Sequence, residues 1–99
     1  MILYSVRARV AKLGPEPAQW ANQVAGLVSK LTGETTEVAA RLGGAQDIIW
    51  VSRYKDFAAF EKAQSVVQNA EYQGLLKIAE DRGLFVTGSA ETAIWQTLT

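Results

Sequence analysis

The sequence has no histidine and no cysteine among its 99 residues, and only one methionine and two prolines. Each absence excludes a class of chemistry. Without cysteine no disulfide braces the fold and no thiol serves as nucleophile or ligand, which is in keeping with a cytoplasmic protein. Without histidine there is no imidazole base, and a serine triad lacks its proton acceptor. Metal binding falls back on carboxylates, and the neighbouring Glu80 and Asp81 at a helix end read as solvated, so no metal is expected. The usual haem ligands are missing apart from Met1, and no cofactor is expected. Ten basic and ten acidic residues cancel, so nucleic acid and anionic membranes are not expected as partners. No apolar run approaches the ~20 residues of a membrane span. Arg7 and Arg9 interrupt the N-terminal stretch where a signal peptide needs continuous apolar residues.

What is present is a succession of hydrophobic periods. Ile2, Tyr4, Val6, Ala8 and Val10 alternate with Leu3, Ser5, Arg7 and Arg9, the pattern of a half-buried strand. Trp20, Val24, Leu27, Val28 and Leu31 recur at helical spacing, with Gly33 placed to end the helix. Thr36, Val38, Ala40 and Leu42 alternate again, and Gly43-Gly44 marks a hairpin into Asp47 to Tyr54. That third strand is apolar in both rows, Ile48/Trp50/Tyr54 and Ile49/Val51, so both of its faces are expected to be covered. Asp56 is placed to cap a second helix carrying Phe57, Phe60 and Ala63, with Asn69 interrupting or recapping it. Tyr72, Leu75, Leu76 and Ala79 continue as a stripe up to Gly83, and a last strand is predicted near Thr92 to Leu98.

The order is βαβ twice, joined by a hairpin. It predicts one α+β domain over residues 1–99, a ferredoxin-like βαββαβ sandwich. Its four-stranded antiparallel sheet should run 4-1-3-2, with the helices on one face. Tyr4, Val6, Ala8, Val38 and Ala40 should lie beneath the helices, against Trp20, Leu27, Phe60 and Leu75. The other face should mix Leu3 and one row of the third strand with arginines, and Trp95 or Ile94 from the last strand. Which row of the third strand faces the helices stays open at this point. A face that is not plainly polar calls for a cover, and a second copy of the chain is the simplest one. Leu3, Val51 and Trp95 are the candidate interface residues of such a homodimer.

The stretch Ile49-Trp50-Val51-Ser52-Arg53-Tyr54-Lys55-Asp56-Phe57-Ala58-Ala59-Phe60-Glu61 resembles the third strand and second-helix start of the dimeric α+β barrel proteins. Asn69-Ala70-Glu71-Tyr72-Gln73-Gly74-Leu75-Leu76 is similar to the short second part of that helix, and Leu84 to Ser89 ahead of Ile94-Trp95 is similar as well. That superfamily includes the antibiotic-biosynthesis monooxygenase-like and NIPSNAP-like proteins. The resemblance implies a homodimer whose two sheets face each other as a barrel. It also raises a cofactor-independent monooxygenase acting on an aromatic or polyketide-type substrate, with Trp50, Tyr72 and Arg53 as the positioning residues.

The residues themselves point to a homodimeric small-molecule-binding or assembly domain without a recognisable catalytic constellation. Arg7, Trp50, Arg53 and Tyr72 are the candidate ligand-binding residues. Guanidinium groups hold carboxylates or phosphates through paired hydrogen bonds, so Arg7, Arg9, Arg41 and Arg53 on one face would suit an anion. Their plainer role is ion pairing with Glu34, Glu37 or Asp47. Tyr4, Trp20, Trp50, Tyr54, Tyr72 and Trp95 would line a slot for a small aromatic molecule, or simply fill core and interface. An RNA-reading module shares the βαββαβ order, but it needs basic surroundings and a Gly-aromatic signature that are missing here.

Overall fold

The computed structural model describes residues 1–41 and 43–98. Its elements are β1 (Ile2–Arg9), α1 (Glu16–Thr32), β2 (Thr36–Ala40), β3 (Asp47–Tyr54), α2 (Phe57–Val67), α3 (Ala70–Asp81) and β4 (Glu91–Gln96). The strands form one antiparallel sheet in the order β2-β3-β1-β4, the expected ferredoxin-like arrangement. Leu42, expected to prolong β2, lies outside the described residues.

The local chemistry explains each boundary. Pro17 sits in the first turn of α1, where its missing N–H costs nothing. Gly33 ends that helix at φ 76°, a left-handed conformation that suits glycine, and its N–H donates to the Ser29 carbonyl at 2.9 Å. The Asp56 carboxylate accepts the Ala59 N–H at 2.8 Å and starts α2. Asn69 repeats the device for α3, accepting the Tyr72 N–H at 2.8 Å. The second helical segment is therefore two helices with their own caps.

Register decides the faces. Tyr4 pairs with Ser52 on one side and Ile94 on the other, while Thr36 pairs with Ser52. Ile94, Tyr4, Ser52 and Thr36 thus form one row across the sheet, and Thr92, Val6, Trp50 and Val38 form the next. Side chains alternate between faces. Trp50 and Tyr54 are buried beneath the helices, so Ile49, Val51 and Arg53 lie on the opposite face with Leu3, Ser5, Arg7 and Trp95. This resolves the row left open by the third strand's double apolar pattern.

Two apolar clusters lie between helices and sheet. The larger joins Ala8, Ile48 and Trp50 to Trp20, Ala21, Val24 and Ala25 of α1, together with Ala79 and Leu84. Trp20, Trp50 and Phe85 meet edge to face, with centroids 5.3–6.0 Å apart. The smaller cluster holds Ile2, Tyr54, Phe60 and Ala63. Phe57 departs from the expected core stripe: it is 51% exposed, although its ring still lies 5.5 Å from Phe60. It occupies the first position of α2, where the side chain overhangs the helix end.

Between α3 and β4 the chain crosses back as a strap. Leu84 is fully buried and its carbonyl accepts the Ala11 N–H at 2.9 Å. Phe85 bridges to Val10, and the Val86 N–H donates to the Arg9 carbonyl at 2.8 Å. The strap thereby closes one end of the space between the layers.

Candidate functional site

The helices do not fill the space over the sheet. A cavity of about 380 Å³ remains between them, floored by Tyr4, Val6, Ala8, Trp50, Ser52 and Tyr54. Trp20, Val24 and Val28 of α1 form one wall, and Tyr72, Leu76 and Ala79 of α3 another. Gln64 and Val67 of α2, Gln68 just beyond it, and Phe85, Val86, Gly88, Ser89 and Ala90 of the strap complete it. Its size lies within the range of small-molecule sites, and its lining is mostly apolar with a few polar groups, as such sites require.

The indoles are walls. Trp20 Nε1 donates to the Leu75 carbonyl at 2.7 Å, and Trp50 Nε1 donates to the Ala21 carbonyl at 3.0 Å. Both N–H groups are spent on backbone, so these residues offer ring surface to an occupant and no donor. Below them, Thr36 Oγ1 and Ser52 Oγ share a buried hydrogen bond of 2.7 Å.

The tyrosines differ. Among the described residues, no hydrogen bond engages the hydroxyl of Tyr4, Tyr54 or Tyr72, and all three line the cavity. Burial pushes the Tyr4 phenol above its ordinary pKa, and the nearby Tyr72 and Tyr54 phenols push it the same way. Burial raises Tyr72 likewise. The Tyr4 and Tyr72 phenols therefore stay protonated in the neutral range and present O–H donors.

Of the four candidate ligand residues, the structure brings Trp50 and Tyr72 together in this cavity and leaves Arg7 and Arg53 on the far side of the sheet. The reason is parity: in β1 and β3 the even-numbered side chains form the cavity floor, so positions 7 and 53 face the other way. Arg7 is engaged there by Glu91 at 2.6 Å, and Arg53 by Glu37. Arg9 and Arg41 share the buried Asp47 carboxylate at 3.4 and 3.6 Å. Leu3, Val51 and Trp95 do share one face, where Trp95 is 58% exposed and its indole reaches Ser5 Oγ at 3.4 Å. Two cavity residues escaped notice in the sequence. Gln64 and Gln68 stand one helical turn apart on and just beyond α2, and that spacing is the signal that marks them.

Among the described residues, no group of three acidic side chains is placed to hold a metal ion. No described helix is long and apolar enough to cross a membrane.

Fold and cavity together define a ferredoxin-like α+β protein with a ligand-sized space between its layers. No family model and no curated protein matches the sequence. Solved structures do match the fold. A NIPSNAP domain protein from Burkholderia xenovorans superposes with a TM-score of 0.77 at 10% identity, covering 100% of this chain and 96% of its own. An antibiotic biosynthesis monooxygenase (assigned as putative) from Nitrosomonas europaea gives 0.74 at 14% identity, with both chains fully covered. SnoaB, a cofactor-independent oxygenase from Streptomyces nogalater, gives 0.73 at 12% identity over 99% of this chain and 93% of that one. These are the groups that the third-strand and second-helix motifs resemble. At such identities the likeness establishes the fold and leaves activity to be argued from the site.

Proposed function

We propose that this protein is a homodimeric small-molecule-binding domain that holds a flat, largely apolar ligand between its helices and its sheet. The observation that carries this reading is the cavity itself, with Trp50, Trp20 and Phe85 at one end and unpartnered tyrosine hydroxyls in its lining. The pocket leaves apolar surface of both layers in contact with water, and an occupant that covers it removes that surface from solvent. Native mass spectrometry of the purified protein tests the reading. A co-purifying small molecule that leaves on unfolding supports it. A bare chain that also shows no thermal shift with any naphthalene-sized aromatic contradicts it.

The dimer rests on the opposite face. Leu3, Ile49, Val51, Ala93 and Trp95 form an apolar band there, flanked by the paired charges of Arg7–Glu91 and Arg53–Glu37. Burying such a band against a second copy is favourable by roughly 25 cal/mol per Å² of apolar surface.

A second reading is favoured by the shared fold with SnoaB, a cofactor-independent oxygenase. In it, the same cavity would hold an electron-rich aromatic while it reacts with O₂. Among the described lining residues, the ionisable groups are tyrosines, and raised phenol pKa values at Tyr4 and Tyr72 make poor bases. Binding is therefore preferred over catalysis. Oxygen uptake above the uncatalysed rate with an anthrone as substrate would reverse that preference.

A further inference from the structure

At one end of the open sheet face, arginines outnumber the acids that meet them. The register sets Arg7 beside Ile49 and Glu91, and Arg9 beside Asp47. Arg41 continues the line of β2, its backbone N–H donating to the Asp47 carbonyl at 2.9 Å. Arg7, Arg9 and Arg41 therefore gather at the end of this face opposite Leu3 and Trp95. Arg7 is taken by Glu91 at 2.6 Å. Arg9 and Arg41 share one acid, the Asp47 carboxylate, whose side chain is only 8% exposed. Arg9 Nε meets one of its oxygens at 3.4 Å and Arg41 Nη1 the other at 3.6 Å, both longer than the about 2.7–2.9 Å of a tight pair. Three guanidiniums against two carboxylates leave the corner one positive charge in excess. Among the described residues, no other acceptor takes the remaining side-chain N–H groups of Arg9 and Arg41.

Both guanidiniums are held in place. Gly44 turns the hairpin at φ 80°, and a Cβ there would stand 3.2 Å from Arg41 Nη2 and 3.3 Å from its Cζ. The bare glycine thus leaves the room that this guanidinium occupies. Arg9 is clamped through its backbone: its N–H donates to Ser89 Oγ at 3.1 Å, and its carbonyl accepts the Val86 N–H. Between Arg7 and Arg41 lies a shallow hollow of about 390 Å³, with Ala39 and Ile49 in its lining.

We infer that this corner binds a small organic monocarboxylate, its carboxylate taken by the spare donors of Arg9 and Arg41 and its short apolar chain lying over Ala39 and Ile49. Charge and shape choose that class. One negative charge neutralises the corner, whereas a phosphate dianion overshoots it. The planar guanidinium fork matches a carboxylate through paired hydrogen bonds. A second copy meeting this face would bring no spare acid there, because Glu37, Asp47 and Glu91 are each engaged by arginines of their own chain. The site is independent of the cavity on the helical side.

Butyrate, its neutral analogue butyramide and inorganic phosphate test this on the intact protein at matched low ionic strength. The pH is mildly alkaline, so that phosphate is a dianion. In ¹H–¹⁵N spectra, butyrate should shift the backbone amides of Arg9, Arg41 and Asp47 saturably, with a dissociation constant in about the millimolar range. Butyramide should bind about tenfold more weakly and phosphate about threefold more weakly. Arg41→Gln should weaken butyrate about tenfold, and Arg41→Lys, which keeps the charge and loses the fork, should restore part of that loss. Glu91→Gln removes an exposed acid and releases Arg7, so it should tighten butyrate about threefold. Butyramide equal to butyrate, phosphate bound more tightly, or an affinity unchanged by Arg41→Gln would overturn the inference. So would an absence of corner shifts at about 50 mM butyrate, or shifts confined to the Trp20 and Trp50 indoles. A dimer that ignores butyrate but weakens in Arg41→Gln would assign the corner to the partner copy and overturn it as well.

Discussion

At the scale of single residues, the fold depends on a few polar groups that its layers enclose. The Thr36–Ser52 hydroxyl pair is buried beneath α1. Ser52→Ala leaves the Thr36 hydroxyl without its partner and should cost about 1–3 kcal/mol in chemical denaturation. Adding Thr36→Val should cost less than the sum of the two single changes, because both polar groups are then gone. A second residue ties the ends of two helices. Glu16 opens α1 and receives bonds from Arg82 and Lys12, and the Arg82 guanidinium chiefly holds its carboxyl at about 2, against an ordinary 4.5. A lowered folded-state pKa contributes stability that is complete above about pH 4.5 and is lost as pH falls toward about 2. Thermal melts across that interval should therefore fall more steeply for the native protein than for Glu16→Gln. Residue-level legibility was uneven. The identity of the aromatics was plain, and the alternation of β1 set Arg7 on the open face, but Arg53 could be placed there only once the parity of β3 was fixed. β3 is apolar in both rows, so its own pattern cannot fix that parity.

At the scale of elements, the sequence patterns carry further. Asp47 to Tyr54 matches β3 residue for residue, because the strand is apolar in both rows and lies between the Gly43-Gly44 turn signal and the Asp56 cap. β4 is shorter than its expected span, ending at Gln96. It is an edge strand with Ile94 51% exposed toward the helical side, so little packing defines where it stops. The break between α2 and α3 was signalled by Asn69, an N-cap residue in mid-stripe. That cap sets where Tyr72 enters the cavity, three residues on. Asn69→Ala should destabilise the protein by about 1 kcal/mol, while Asn69→Asp should largely retain stability. Comparison of denaturation midpoints checks both. The cavity itself was not legible from periodicity. An apolar stripe says which face turns inward and is silent on whether the facing side chains meet.

At the scale of the whole molecule, the account separates two jobs by the two faces of one sheet. The helical face holds the cavity, and the other face is the one proposed to meet a second copy. Light scattering should give twice the 10.8 kDa chain mass, and Trp95→Glu should convert the dimer to monomer or render it insoluble. A Trp95→Glu protein that remains a stable dimer would show that another surface joins the copies.

The three tryptophans make the separation measurable in one experiment. Trp20 and Trp50 line the cavity, and Trp95 lies on the opposite face of the sheet. Their indole N–H resonances in a ¹H–¹⁵N spectrum, followed during titration with 2-acetylnaphthalene, report on each side independently. The account predicts that the Trp20 and Trp50 signals move together and saturate while Trp95 stays in place. Movement of Trp95 alone, with the two cavity indoles unchanged, would contradict it.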